Sequence, residues 1–190
     1  MNLKSKEIIL ETAVRLFDKR GYHGTRLEQI IKESGSTKAS LYYHFPNGKE
    51  ELAIESAKII SQRVQNILQY YIFRDKEPVD FLRAFVLSIA ESIDTSGPDN
   101  LAPFGFLATV EISTVSASLR NACKVAFRDW KESLSNKFIE TGIGRDSAEK
   151  MAEILVCLIE GATTIAIAEG DSQAIRRITE YIPMILLSNR

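Results

Sequence analysis

The segment from Lys38 to His44 places several side chains that bind phosphates on a very short stretch of chain. Leu41 and Phe45 are four residues apart and predict one inward face of a short helix. The other side chains carry an ammonium group, a serine hydroxyl, two tyrosine hydroxyls and an imidazole, which all suit phosphate oxygens. Lys38, near the helix start, also suits a guanine edge. The segment therefore favours a DNA-reading helix, and the alternative is an ordinary helical hairpin whose aromatic residues cover a core.

Two short helices with clear start and stop signals should position these side chains. Thr25 and Glu28 fit a capping box, in which each side chain accepts a hydrogen bond from the other residue's backbone amide. Gly35 sits where the first helix should end, because glycine adopts the left-handed conformation without strain. Thr37 suits the N-cap of the second helix. The apolar residues that this helix-turn-helix should bury recur at helical spacing: Leu27, Ile30, Ile31, Leu41 and Phe45.

Residues of about 5–52 resemble the DNA-binding domain of TetR-family transcriptional regulators. Many positions match in order and at the expected spacing: Leu16, Phe17, Gly21, Tyr22, Ile30, Gly35, Lys38, Leu41, Tyr42, His44, Phe45, Lys49, Glu50 and Leu52. The run from Ser40 to Leu52 resembles the LmrA/YxaF-type branch of that family. Two positions depart from the family pattern, since Ser36 replaces a small apolar residue of the turn and Ala39 replaces a frequent glycine. We expect both departures to affect how the second helix seats on DNA.

Residue chemistry and the resemblance together give a predicted DNA-binding set. Its members lie at the start of the first helix of the pair, along the second helix, and at the start of the helix that follows. They are Thr25, Arg26, Thr37, Lys38, Ala39, Ser40, Tyr42, Tyr43, His44 and Lys49. At Lys49, helix-terminal amides and the ammonium group should together hold a phosphate.

The distribution of charge fits a protein that presents one end to phosphates. The chain has 190 residues and a net charge of −1. Residues 1–49 contain nine Lys and Arg against five Asp and Glu, so the remainder carries a net charge of −5. A basic N-terminal part on an acidic body is consistent with double-stranded DNA as a partner.

The pattern of apolar residues predicts an all-α protein of about nine helices. We expect an N-terminal three-helix helix-turn-helix domain over 1–48 and a C-terminal helical ligand-binding and dimerisation domain over 49–190. The later helices are predicted over about 49–73, 78–95, 104–110, 116–142, 146–169 and 172–188. No run of 18 apolar residues and no signal peptide is found, which favours a cytoplasmic protein. Cys123 and Cys157 lie in apolar helical patterns and are expected to be buried thiols.

Long apolar stripes on the last two predicted helices favour a homodimer. The predicted interface consists of Leu158, Ala162, Ile165, Ile175, Ile178 and Ile182. The alternative is that the same residues form the core of one subunit. The family resemblance implies a four-helix interface, so that two DNA-reading helices meet a palindromic site with half-sites about 34–36 Å apart.

Aromatic and apolar residues on the middle helices predict an effector pocket. The predicted lining is Phe81, Phe85, Phe104, Phe106, Leu107, Val110, Phe127, Trp130 and Met151. A packed core would use the same residues. The family resemblance implies a cavity for a small hydrophobic or aromatic effector, and the segment around Gly105 is the predicted moving part. We expect effector binding to weaken operator binding.

No pattern in the sequence indicates an enzyme or a metal site. His23 and His44 are the only histidines, and neither has an i+4 histidine or a nearby cysteine. The glycines at 142 and 144 do not follow a strand, which argues against nucleotide binding. We therefore expect no cofactor and predict a ligand-responsive, dimeric DNA-binding repressor. The alternative is a helical interaction or scaffold protein without sequence-specific DNA binding.

Overall fold

A computed structural model describes residues 3–96 and 116–187 of the chain. Within these residues all regular structure is α-helical, which confirms the predicted all-α class. The eight helices are α1 (Leu3–Gly24), α2 (Leu27–Glu33), α3 (Lys38–His44), α4 (Lys49–Arg74), α5 (Pro78–Ser96), α6 (Ala117–Glu140), α7 (Arg145–Glu169) and α8 (Gln173–Leu187). The helix predicted over 104–110 lies outside the described residues.

Local signals set most of these helix ends. Pro78 occupies the first position of α5, where its missing amide hydrogen costs nothing. Gly170 ends α7 in the left-handed conformation, with φ 75° and ψ 18°. Gly21 has φ 68° and interrupts the helical backbone of α1, although helical turns continue to Gly24. The ends of α4 to α8 lie within two residues of the predicted positions.

The chain forms two compact units, and α4 and α6 contribute residues to both. In the first unit, the described residues are 3–62 and 116–125. Its core contains residues of α1, α2 and α3 together with Leu52, Ala53 and Ala57 of α4 and Leu119 of α6. Because the beginning of α4 packs into this core, the unit extends beyond residue 48.

The second unit, residues 63–96 and 126–187 of the described chain, is held together by α5, α7 and α8. Phe81, Leu82 and Ile93 of α5 are buried, as are Ile175 and Ile182 of α8. At the end of α5, Arg176 Nη2 and Ser172 Oγ lie 2.6 Å and 3.0 Å from Asp94 Oδ2. The hydrogen bond from Arg176, followed by that from Ser172, lowers the pKa of Asp94.

Proline inside α8 leaves one carbonyl without its usual intrahelical partner. Pro183 has no amide hydrogen to donate to the carbonyl of Thr179, four residues earlier. The Nε of Arg83 on α5 donates to that carbonyl oxygen at 3.4 Å. The side chain from α5 therefore supplies the hydrogen bond that the proline omits.

Among the described helices, only α7 has the length and apolar composition of a membrane-spanning helix. A core helix of a folded domain meets the same criterion, and nine residues of α7 are buried inside the protein. The prediction of two buried cysteines is half wrong: Cys123 is buried, but Cys157 on α7 is exposed.

Candidate functional site

The turn between α2 and α3 is fixed by backbone hydrogen bonds around Gly35. Gly35 has φ 62°, and its amide donates to the carbonyl of Lys32 at 3.3 Å. The amide of Ser36 reaches the carbonyl of Ile31 at 3.1 Å, which completes a Schellman motif. The hydroxyl of Ser34 also lies 2.9 Å from that of Ser36. The unusual serine at position 36 is thus part of the hydrogen-bonded turn.

The start of α3 follows the predicted capping. Thr37 has an extended backbone, and its hydroxyl oxygen accepts a hydrogen bond from the amide of Ser40 at 3.1 Å. Leu41 and Phe45 are 0% and 1% exposed and belong to the core of the first unit. Both features confirm the sequence-based predictions, and they determine which side of α3 remains outside.

The outer side of α3 carries most of the predicted DNA-binding side chains. Lys38, Ala39, Tyr42 and Tyr43 are exposed, while Ser40 and His44 are partly exposed. The rings of Tyr43 and His44 meet edge to face at 5.0 Å. Exposed hydroxyl, ammonium and imidazole groups on one short helix form a surface suited to phosphates and base edges.

Tyr42 also connects α3 to the start of α4. A Cβ atom at Gly48 would lie 3.3 Å from Cε1 of Tyr42 and 3.5 Å from Cδ1 of Leu27. Gly48 has φ 60°, so both its backbone conformation and this close contact favour glycine. The Tyr42 ring is therefore seated against the turn that begins α4.

Lys49 lies at the N-terminus of α4, beside Tyr22. Its Nζ is 4.3 Å from the centroid of the Tyr22 ring, which itself stacks on Phe17 at 6.0 Å. Burial and, to a smaller extent, the charge of Glu50 raise the pKa of the Tyr22 hydroxyl. The cation–π contact places the lysine ammonium over the Tyr22 ring. Lys49 is also the first residue of α4, and the helix dipole favours an anion at that end.

The structure corrects the role predicted for Thr25. Thr25 is fully buried, and its hydroxyl lies 2.8 Å from the carbonyl oxygen of Gly21 and 3.1 Å from that of Leu16. The N-cap of α2 is Arg26, whose side chain is exposed and forms no capping hydrogen bond. The predicted capping box and the predicted DNA contact of Thr25 are both wrong, because the break of α1 at Gly21 leaves carbonyls that this hydroxyl satisfies.

The residues of the predicted effector pocket that the structure describes are mostly buried. Phe81, Phe85, Trp130 and Met151 are buried, and Phe127 is partly buried with its ring 5.4 Å from that of Trp130. The remaining predicted lining residues, Phe104, Phe106, Leu107 and Val110, lie outside the described residues. The pocket thus stays a prediction.

A polar depression of about 460 Å³ lies on the second unit, between α6 and α7. Its lining contains side chains of both charges. For example, Lys131 Nζ and Glu153 Oε1 are 3.4 Å apart. The lining residues are Arg128, Lys131, Glu132, Ser135, Asn136, Arg145, Glu149 and Glu153. Its polar character does not suit the hydrophobic effector predicted from the sequence.

Glu160 on α7 is a polar group that sequence patterns do not single out. Its Oε2 atom is enclosed and has no hydrogen-bond partner among the described residues. Burial raises the pKa of the Glu160 carboxyl to about 7. An enclosed acceptor of this kind suits a ligand that donates a hydrogen bond.

The two last helices present apolar side chains on their outer surface as well as inside. Leu158 and Ile165 are 39% and 48% exposed, in agreement with a role at an interface. Ala162, Ile175, Ile178 and Ile182 are buried within the subunit, so their predicted place at the interface is wrong. Ile154 on α7 and Tyr181 and Met184 on α8 are exposed instead. The outer apolar face is therefore Ile154, Leu158, Ile165, Tyr181 and Met184.

Comparison with protein families matches both parts of the chain. Residues 9–55 match the model described as bacterial regulatory proteins, tetR family. Residues 78–181 match the model described as transcriptional regulator LmrA/YxaF-like, C-terminal domain. The second match alone covers more than half of the chain.

Individual relatives are similar over nearly the whole length. The uncharacterized HTH-type transcriptional regulator YxaF of Bacillus subtilis is 36% identical over 182 residues, which cover 96% of this chain and 95% of that protein. The HTH-type transcriptional regulator LmrA of the same organism is 35% identical over 96% of both chains. A TetR transcriptional regulator from Legionella pneumophila superposes with a TM-score of 0.82, at 22% identity over 97% of both chains.

The buried carboxyl of Glu160 should make the stability of the protein depend on pH. Because its pKa is raised on folding, its contribution to stability is fully present below about pH 4.5 and is lost as the pH rises through about 7. We expect the free energy of unfolding of Glu160→Gln to exceed that of the parent by about 1–2 kcal/mol at pH 8, with little difference at pH 4.5. Urea denaturation followed by circular dichroism at the two pH values measures this difference.

The exposed Glu91 on α5 provides the control. Glu91→Gln removes the same charge from the surface and should not reproduce this pH-dependent gain. An identical pH dependence in Glu160→Gln and the parent would show that the Glu160 carboxyl is solvated in the folded protein.

Proposed function

The chain belongs to the TetR family of transcriptional regulators, and from this premise we propose that it is a repressor released from a palindromic operator by a small hydrophobic or aromatic effector. The observation that carries the DNA-binding part is the outer side of α3. Leu41 and Phe45 fix the inner side, which leaves Lys38, Tyr42 and Tyr43 exposed together. Repression needs only that the protein occupy promoter DNA, whereas activation needs a further contact surface. DNA as the partner is consistent with a cytoplasmic location.

Three elements contribute to the proposed operator surface. The N-terminal residues of α3 meet base edges, as in other helix-turn-helix proteins. Arg26, exposed at the start of α2, and Lys49, at the start of α4, bind backbone phosphates on either side. In this arrangement the two flanking contacts set the position of α3, and Lys38 and Tyr42 read the site.

Substitutions on the outer side of α3 should weaken operator binding without unfolding the protein. Lys38→Ala removes a charged contact, and Tyr42→Phe removes a hydroxyl while keeping the ring that packs on Gly48. We expect each to cost about 1–3 kcal/mol of binding free energy, or roughly 5- to 150-fold in Kd. Fluorescence anisotropy with DNA upstream of the protein's own gene, at two salt concentrations, measures the weakening.

Random DNA and Lys32→Ala serve as controls in this titration. Lys32 is an exposed lysine on α2, and its substitution should leave operator affinity near that of the parent. The parent should prefer its operator by at least about 10³-fold over random DNA. Equal, salt-sensitive binding to both DNAs, together with unchanged affinity in Lys38→Ala and Tyr42→Phe, would favour the helical scaffold protein instead.

The outer apolar face of α7 and α8 supports a homodimer. Isolated exposed apolar residues are common, but this face gathers five large ones on two helices that pack against each other. In a two-fold dimer each copy would present the same face, so that the apolar residues cover one another. Two copies of α3 would then meet half-sites about 34–36 Å apart.

A charge on this face should separate the subunits. Ile165→Asp places a carboxylate where the partner would cover it, so we expect a monomer with a native helical spectrum. Ile67→Asp on α4 is a matched control, because Ile67 is 47% exposed and Ile165 is 48% exposed. Sedimentation velocity measures the mass, and a dimer that survives Ile165→Asp would place the interface elsewhere.

The effector part of the proposal rests on the buried aromatic residues of the second unit and on Glu160. We propose that the aromatic residues supply apolar contacts and that the enclosed Oε2 of Glu160 supplies one acceptor for a donor group on the ligand. An effector changes operator affinity only if it binds one state of the protein more tightly than the other. In the proposed mechanism the effector prefers the state in which α3 of the two subunits does not fit the operator.

Planar aromatic compounds carrying an amine or hydroxyl should release the protein from its operator. We expect a compound that binds the protein to raise the operator Kd by about 5- to 150-fold. Intrinsic fluorescence of Trp130 reports compound binding, and anisotropy of labelled operator reports release. Saturating binding of such compounds with unchanged operator affinity would contradict the proposed mechanism.

A further inference from the structure

The first turn of α1 lies directly against the start of α3. The hydroxyl oxygens of Ser5 and Ser40 are 3.0 Å apart, and both side chains are partly buried. One turn further along α1, Ile9 is fully buried in the same core as Leu41 and Phe45. The hydrogen bond of Ser5 and the buried side chain of Ile9 together fix the start of α1 beside α3.

Two exposed lysines flank Ser5 in this turn. The Nζ of Lys6 lies 5.8 Å from the ring centroid of Phe45, which follows α3. Lys4 and Lys6 are both exposed, and neither forms an ion pair within residues 3–96 and 116–187. Their ammonium groups are therefore accessible to an anion that approaches α3.

The width of the major groove indicates which anion this would be. The groove is about 12 Å wide and is bordered on each side by a row of phosphates. Packed helices have axes about 8–10 Å apart, so a helix beside one that occupies the groove lies over its border. Lysines on such a helix meet phosphates, which position a protein without reading the sequence.

We propose that the first turn of α1 is part of the DNA-binding surface. Lys4 and Lys6 bind phosphates at the border of the groove that receives α3, and Ser5 positions α3 through Ser40. This inference rests on the proposed DNA-binding role of α3 and adds an element outside the predicted set. The bond between Ser5 and Ser40 joins residues 35 positions apart, so no local spacing pattern indicates it.

Removal of the two lysines should weaken binding to every DNA sequence. We expect Lys4→Gln combined with Lys6→Gln to raise Kd by about tenfold for operator and random DNA alike. The slope of log Kd against log salt should fall by about 0.9 for each phosphate that the variant no longer neutralises. The control, Lys124→Gln combined with Lys150→Gln, removes two exposed lysines from α6 and α7 and should leave both quantities unchanged.

The parent protein and Lys38→Ala, measured in the same titrations, distinguish a failure of this inference from a failure of the proposed function. Suppose that the parent prefers its operator and that Lys38→Ala loses this preference. An unchanged salt slope in the double lysine variant would then overturn only the proposed role of α1, and the proposed function would stand. If the parent does not distinguish operator from random DNA, the proposed function and this inference fail together. A lowered slope in the double variant with an intact operator preference supports both.

The test of Ser5 needs a measurement that does not change when the protein is merely destabilised. We expect Ser5→Ala to lower the preference for operator over random DNA by about threefold to tenfold, since α3 loses one positioning hydrogen bond. The salt slope should stay unchanged, and Ser5→Thr, which keeps the hydroxyl, should restore the preference. A lower melting temperature in Ser5→Ala with an unaltered preference would show that the bond is only structural.

Discussion

The burial of Leu41 and Phe45 is the contact on which the rest of the DNA-binding surface depends. With seven residues, α3 is too short to persist by itself, because isolated helices below about 12–15 residues are marginal in water. Burying the two side chains contributes about 1.5–3 kcal/mol each and fixes the rotation of the helix about its axis. The exposure of Lys38, Tyr42 and Tyr43 follows from that rotation. The core of the first unit therefore determines which side chains form the DNA-binding surface.

Several parts of this surface could be predicted because their causes are local. The conformation of Gly35 and the cap at Thr37 depend on residues within four positions along the chain. Thr25 has the same residue type as Thr37 and fits the same capping pattern, yet its hydroxyl binds carbonyls of α1. The difference arises at Gly21, where the helical backbone breaks. A capping pattern does not reveal that another, buried acceptor lies within reach.

The second unit shows a different limit of sequence patterns. Helical periodicity identifies apolar residues on α7 and α8 but does not show which of their faces packs against α5. Ile175 and Ile182 are buried inside the subunit, whereas Ile165 and Met184 are exposed. On a helix with two apolar faces, one face packs in the core and the other is exposed at the surface. Only the packing of α8 on α5 and α7 shows which face of each helix is buried. Because of this packing, most residues of the predicted dimer interface lie in the core of the subunit.

Buried polar groups without a partner occur in both units, and one of them bears on the proposed switch. In the first unit, the hydroxyl of Thr25 reaches two carbonyls, whereas that of Ser56 has no partner among the described residues. In the second unit, one oxygen of Glu160 has no partner among the described residues, and its carboxyl has a pKa of about 7. A buried acceptor without a partner costs about 1–3 kcal/mol, which is comparable to the coupling energy of many allosteric proteins. A ligand that supplies the missing donor would recover that free energy only in the state that encloses it, and this preference for one state is what shifts the equilibrium.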